Sequence, residues 1–132
     1  MGFILWDEIM LPNFLFPETT IENNGSGEAF SVEAGSGLVL LTLGISEVVE
    51  QESLDVHLMG SADGEEWLAQ PIRSFSQKFY EGVYQVLIDL SATPEVRHLR
   101  VDYKVARWGV GSTTPRFKFY VFAVPFAEAK SA

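Results

Sequence analysis

Hydrophobic and polar positions alternate with a period of two along most of the chain. In Leu54-Asp55-Val56-His57-Leu58-Met59 the leucines and the valine share one face, while Asp55 and His57 point the other way. Leu99-Arg100-Val101-Asp102-Tyr103-Lys104-Val105 repeats the pattern, with charges on its polar face. Such strands bury one face and wet the other, as antiparallel sheets allow. Two segments do not alternate. Residues 38–45 (LVLLTLGI) and 117–126 (FKFYVFAVPF) are apolar on both faces for most of their length. They are expected to be central strands, covered on both sides or covered on one side by a partner chain.

Turn chemistry divides the strands. Asn23-Asn24-Gly25-Ser26-Gly27 and Gly35-Ser36-Gly37 supply residues that tolerate positive φ, as tight hairpins require. Asp63-Gly64 signals a hairpin between strands at 54–60 and 67–72. Gly82 precedes a strand at 83–90, and Ser91-Ala92-Thr93-Pro94-Glu95 suits one helical turn capped by Thr93. Residues 108–115 (WGVGSTTP) read as a loop. About eight or nine strands at this regular turn spacing predict an all-β fold, an antiparallel β-sandwich of jelly-roll-like form. No long segment carries a helical period, and there is no internal repeat, linker or low-complexity tract.

The N-terminal stretch breaks the pattern. Residues 3–16 (FILWDEIMLPNFLF) are strongly apolar, yet Pro12 and Pro17 interrupt any regular element. Residues 1–17 therefore form an edge strand with an arm packed over the sandwich, or an arm that docks onto a neighbouring subunit. The second reading follows from the liability of so much exposed apolar surface, and it predicts a homo-oligomer.

Composition narrows the partners. A chain of 132 residues fits one domain, 1–132, able to remove roughly two-thirds of its unfolded surface from water. At 47% hydrophobic and 13% aromatic it is far from the signature of disorder. It has no cysteine, which excludes disulfides, thiolate zinc sites and a cysteine nucleophile, and fits a reducing compartment. The formal charge of −9 repels phosphate, so nucleic acids and anionic membranes are poor partners. The start, MGFILWDE, lacks a basic n-region and meets acids after six residues, unlike a secretory signal. No run approaches the ~20 apolar residues of a membrane-spanning helix, so a cytoplasmic location without membrane insertion is expected.

Candidate chemistry is sparse. Asp55 and His57 leave the same face of one strand, a spacing that suits a base with its orienting acid or half of a metal site. A further partner is conceivable on the strand that carries Asp102. His98 sits in Arg97-His98-Leu99-Arg100, where positive charge discourages metal binding. The acidic run 47–52 (EVVEQE) lacks the glycine and the oxygen spacing of a calcium loop. No nucleophile elbow, phosphate loop or zinc-protease motif is present. No enzyme activity, cofactor or metal is expected, and both histidines read as surface residues of a wet sheet face.

The most specific local feature is Ser61-Ala62-Asp63-Gly64-Glu65-Glu66-Trp67, in which Asp-Gly makes a turn and side-chain oxygens accept backbone amides. This S-x-D-G-x-x-W pattern resembles that of galactose-binding-like (discoidin-type) sandwiches. Arg97-His98-Leu99-Arg100-Val101 is similar to the Arg-aromatic-aliphatic-Arg-aliphatic strand that follows later in that family. With the aromatic strand 115–126, the two motifs also resemble small β-sandwich proteins of bacterial and phage origin. The likeness covers residues 53 to 126. It implies a jelly-roll sandwich that binds a glycan or lipid head group through loops at one end, although the disulfide that often closes such domains is missing here.

A glycan site needs aromatic planes beside hydrogen-bonding groups. Arg107 and Trp108 at the mouth of the glycine-rich loop, with Tyr80 in Phe79-Tyr80-Glu81-Gly82, are the candidate ligand residues. The acidic charge favours a neutral glycan. Self-assembly, as in phage-derived or bacterial structural proteins, is the alternative function. The bland reading of the same aromatics is that they cap the ends of the sandwich core.

Overall fold

The alternating segments pair into two antiparallel sheets in the computed structural model, which describes residues 13–32, 37–48, 52–78, 80–107 and 116–125. The strands are β1 (Asn13–Ile21), β2 (Gly25–Ser26), β3 (Phe30–Ser31), β4 (Leu38–Val48), β5 (Glu52–Ser61), β6 (Arg73–Ser74), β7 (Gly82–Asp89), β8 (His98–Arg107) and β9 (Phe117–Pro125). One sheet runs β1-β9-β4-β7. The other runs β2-β8-β5-β6, with β3 also on β8. Because β2 pairs with Tyr103–Asp102 and β3 with Leu99–His98, the two short strands act as one interrupted strand along the same edge of β8. Every connection except β5 to β6 then crosses from one sheet to the other, which is the connectivity of a jelly roll.

Alternation explains the core between the sheets. Val39, Leu41, Leu43 and Ile45 of β4 and Phe117, Phe119, Val121 and Ala123 of β9 are buried, facing Leu54, Val56, Leu58, Leu99 and Val101 of the opposite sheet. Phe16 stacks on Phe119 with centroids 4.7 Å apart, and Tyr103 of the opposite sheet meets both rings edge-on. Such clusters bury large apolar areas and fix the spacing of the sheets.

The segments 38–45 and 117–125 are central strands, as their apolar character predicts, but among the described residues their outer faces are only partly covered. Leu40, Tyr120, Phe122 and Val124 are half-buried there, and neighbouring Phe14, Leu38, Val83 and Leu87 are 43%, 39%, 64% and 41% exposed. Residue 126 and the arm at 1–12 lie outside the described residues.

Several turns differ from the sequence expectation. Gly25 does not close a tight hairpin. It lets β2 approach β8, since a β-carbon there would stand 2.8 Å from the Tyr103 hydroxyl oxygen. No continuous strand returns at 67–72. Trp67 bridges Ser61, Leu68 and Ile72 donate to Gly60 and Leu58, and Pro71 interrupts before β6 forms. The helical turn is a 3₁₀ turn, Leu90–Ala92, capped by the Asp89 carboxylate rather than by Thr93, which ends it. It starts one residue early because Leu90 is drawn into the core. Pro17 does not end β1 either: the strand slips register on both sides of Phe16, at an edge where a missing N–H costs little. No helix among the described residues is long and apolar enough to cross a membrane.

Candidate functional site

The outer face of the β2-β8-β5-β6 sheet carries the polar half of each alternating strand. The β5–β8 register sets Asp55 opposite Lys104, His57 opposite Asp102 and Met59 opposite Arg100. A concavity of about 450 Å³ lies on this face. His57, Met59, Asp102 and Lys104 form its floor, with Asn24 and Ser26 of the β2 region on one flank and Pro71 on the other. This volume lies within the range of small-molecule pockets.

Neighbours hold the polar groups in place. Arg100 makes a two-point ion pair with Asp102 along the same strand, Nε to Oδ1 at 2.8 Å and Nη2 to Oδ2 at 3.2 Å. Its guanidinium also lies over the Trp67 ring, 4.4 Å from the centroid. One stacked, forked cation therefore fixes the carboxylate and occupies one face of the indole. Asn24 Oδ1 accepts from the Val105 amide at 2.8 Å, leaving its amide nitrogen as a donor. Gln77 Nε2 donates to Asp55 Oδ2 at 3.2 Å, so the amide, and not His57, engages that acid.

His57 Nδ1 is 2.6 Å from the Ser74 hydroxyl. Sequence reasoning missed this pair, because Ser74 is seventeen residues away and lies beyond the return strand expected at 67–72. The pair lacks the orienting third member of a catalytic triad, since Asp102 is engaged by Arg100 and no hydrogen bond joins it to His57 among the described residues. Nor do three or more potential metal ligands gather anywhere among those residues.

The S-x-D-G-x-x-W segment is a turn built around a fully buried serine. Ser61 Oγ accepts from Gly64 N at 2.8 Å and Asp63 N at 3.2 Å, and donates to the Glu66 carbonyl at 2.6 Å. Asp63 Oδ1 accepts from the amides of Glu65 and Glu66 at 2.8 and 3.0 Å. The Glu66 and then the Glu65 amide hold its carboxyl below the ordinary value of 3.8. Gly64 adopts φ +83°, and a β-carbon there would meet the His98 ring at 3.2 Å. His98 thus packs against the turn.

Of the residues expected at the loop end, Trp108 lies outside the described residues, and only the backbone of Arg107 is placed, opposite Glu52 at the end of β8. Tyr80 is 74% exposed, two residues after Lys78, which bridges Leu54 near the start of β5. The backbones of Arg107 and Tyr80 therefore reach the same end of the sandwich, three residues along β8 from Lys104 on the concavity floor. No protein-family model matches this chain, and no curated protein matches it.

Proposed function

We propose that this sandwich is a non-enzymatic binding module for a neutral, hydroxyl-rich ligand, with carbohydrate the first choice, seated in the concavity of the polar sheet face. The observation that carries this reading is the convergence of His57, Asp102, Lys104, Asn24 and Ser26 on one hollow. Donors and acceptors there are of both signs, so the hollow suits a ligand that offers both without net charge. Met59 and Pro71 add the apolar surface that a sugar's C–H face requires. The overall charge of −9 also disfavours anions. The likeness to galactose-binding-like sandwiches is compatible with this reading. Its signature is a structural turn here, so the likeness speaks to the scaffold and not to the site. The Arg107–Trp108 loop with Tyr80 is the second location for the same ligand.

A glycan array of neutral hexoses and N-acetylhexosamines, followed by titration of hits, tests the proposal. His57→Ala and Lys104→Ala should each weaken binding by about 1 kcal/mol, roughly fivefold, the scale of one hydrogen bond. Binding that ignores both substitutions but is lost in Trp108→Ala would move the site to the loop end. A blank array would discard the carbohydrate reading, and hydrolysis of an activated ester that Ser74→Ala abolishes would discard the non-enzymatic one.

Self-assembly is the second reading, favoured by the half-exposed apolar outer face of the β1-β9-β4-β7 sheet, where Phe14 packs edge-on against Phe122 and Tyr120.

A further inference from the structure

We infer that β7 is an interface strand that pairs antiparallel with β7 of a second copy about a two-fold axis at Gln85. This deepens the self-assembly reading and stands apart from the ligand site.

Among the described residues the sandwich has four sheet edges, and three are blunted in ways that discourage strand addition. Edge β1 carries two register slips and Pro17. The edge of the second sheet beyond β8 is split into β2 and β3, of two residues each, and β6 on its other side is also two residues long. Edge β7 is different. It is eight residues long, holds its register with β4 without a slip from Gly82 to Asp89, and contains no proline.

The hydrogen-bond parity of β7 fixes which groups face outward. Leu90 N bonds Gly37 O in the same register as the β4 pairing, so Ile88, Val86 and Tyr84 bond β4. Val83, Gln85 and Leu87 then direct their N–H and C=O groups to the open side. Among the described residues only the Arg73 guanidinium reaches this row, 3.4 Å from the Leu87 carbonyl.

The strand is its own complement. With the axis at Gln85, Val83 meets the second copy's Leu87 and Gln85 meets its twin, with two hydrogen bonds at each outward-facing pair. Val83 and Leu87, 64% and 41% exposed in one copy, become cross-strand neighbours and join the two apolar outer faces. Charge sets one opposing and one offsetting contact at each end of the pairing. Glu81 then lies opposite the second copy's Asp89, a like-charge contact, and Arg73 stands at that corner beside Leu87. No carboxylate pairs with Arg73 among the described residues, so it is available to the second copy's Glu81. Each copy brings one such cation and one such anion, and the two-fold matches them twice.

Sedimentation equilibrium of the full chain across micromolar concentrations tests the inference. The wild type should show twice the chain mass, or an even multiple of it. Gln85→Pro removes an outward N–H that the β4 pairing does not use, at the cost of fixing one φ, so it should halve that mass while the circular dichroism spectrum is kept. Should that variant misfold, Leu87→Lys and Arg73→Glu are expected to weaken association by at least about tenfold. The charge exchange Arg73→Glu with Glu81→Arg should restore it. A monomeric wild type, an association unchanged in folded variants, or a charge exchange that restores nothing would overturn the inference.

Discussion

Replacing Ser61 by alanine removes one oxygen from the centre of the S-x-D-G-x-x-W turn, and the structure gives the size of the effect. The side chain is fully buried, and its hydroxyl accepts two backbone amides and donates to the Glu66 carbonyl. At about 1 kcal/mol net for each neutral hydrogen bond, the three together would contribute ~3 kcal/mol. Part of this is recovered, because Asp63 and Glu66 are exposed and their backbone groups find water once the turn loosens. The expected loss is about 2 kcal/mol, or roughly 6–10 °C in melting temperature for a chain of this size. Urea denaturation of Ser61→Ala beside Ser26→Ala, an exposed serine whose hydroxyl makes no hydrogen bond among the described residues, measures it. The control should change by less than about 0.5 kcal/mol. A loss just as small in Ser61→Ala would show that the hydroxyl does not hold the turn.

Two further outcomes follow from the same geometry. The Asp63 carboxyl is held below its ordinary value by the Glu66 and Glu65 amides, so its charge stabilises the fold at pH values above the unfolded value near 3.8. Asp63→Asn keeps an acceptor oxygen but no charge, so the advantage of wild type over this variant should shrink as pH falls from 5 through the lowered folded value; an advantage independent of pH would refute the assignment. Phe119→Ala should cost about 3–5 kcal/mol in chemical denaturation, because this fully buried ring meets both Phe16 and Tyr103 across the two sheets. A cost under 1 kcal/mol would mean that the core closes over the gap.

Much of the fold was legible in the sequence because a strand's two faces are written as a two-residue period. The alternating runs around Val56 and Val101 became β5 and β8, and the doubly apolar runs became the central strands β4 and β9. Ser61-Ala62-Asp63-Gly64 identified its turn, since Gly64 supplies the positive φ and the serine and aspartate supply local acceptors. These are properties of neighbours along the chain. What decided the remainder is separated in sequence and joined only by folding. Glycines at 25 and 27 read as a hairpin, yet Gly25 serves close approach to Tyr103, seventy-eight residues later, which no local signal encodes. Likewise the sequence places Asp55 beside His57 on one strand face, whereas packing gives His57 to Ser74 and Asp55 to Gln77. The concavity arises because β2 is laid along β8 and the Pro71 return along β5, a juxtaposition set by register across the sheet. Strand identity is a local balance of burial and propensity. Strand order, edge exposure and the meeting of polar groups are choices among long-range pairings, and only the closed sandwich makes them.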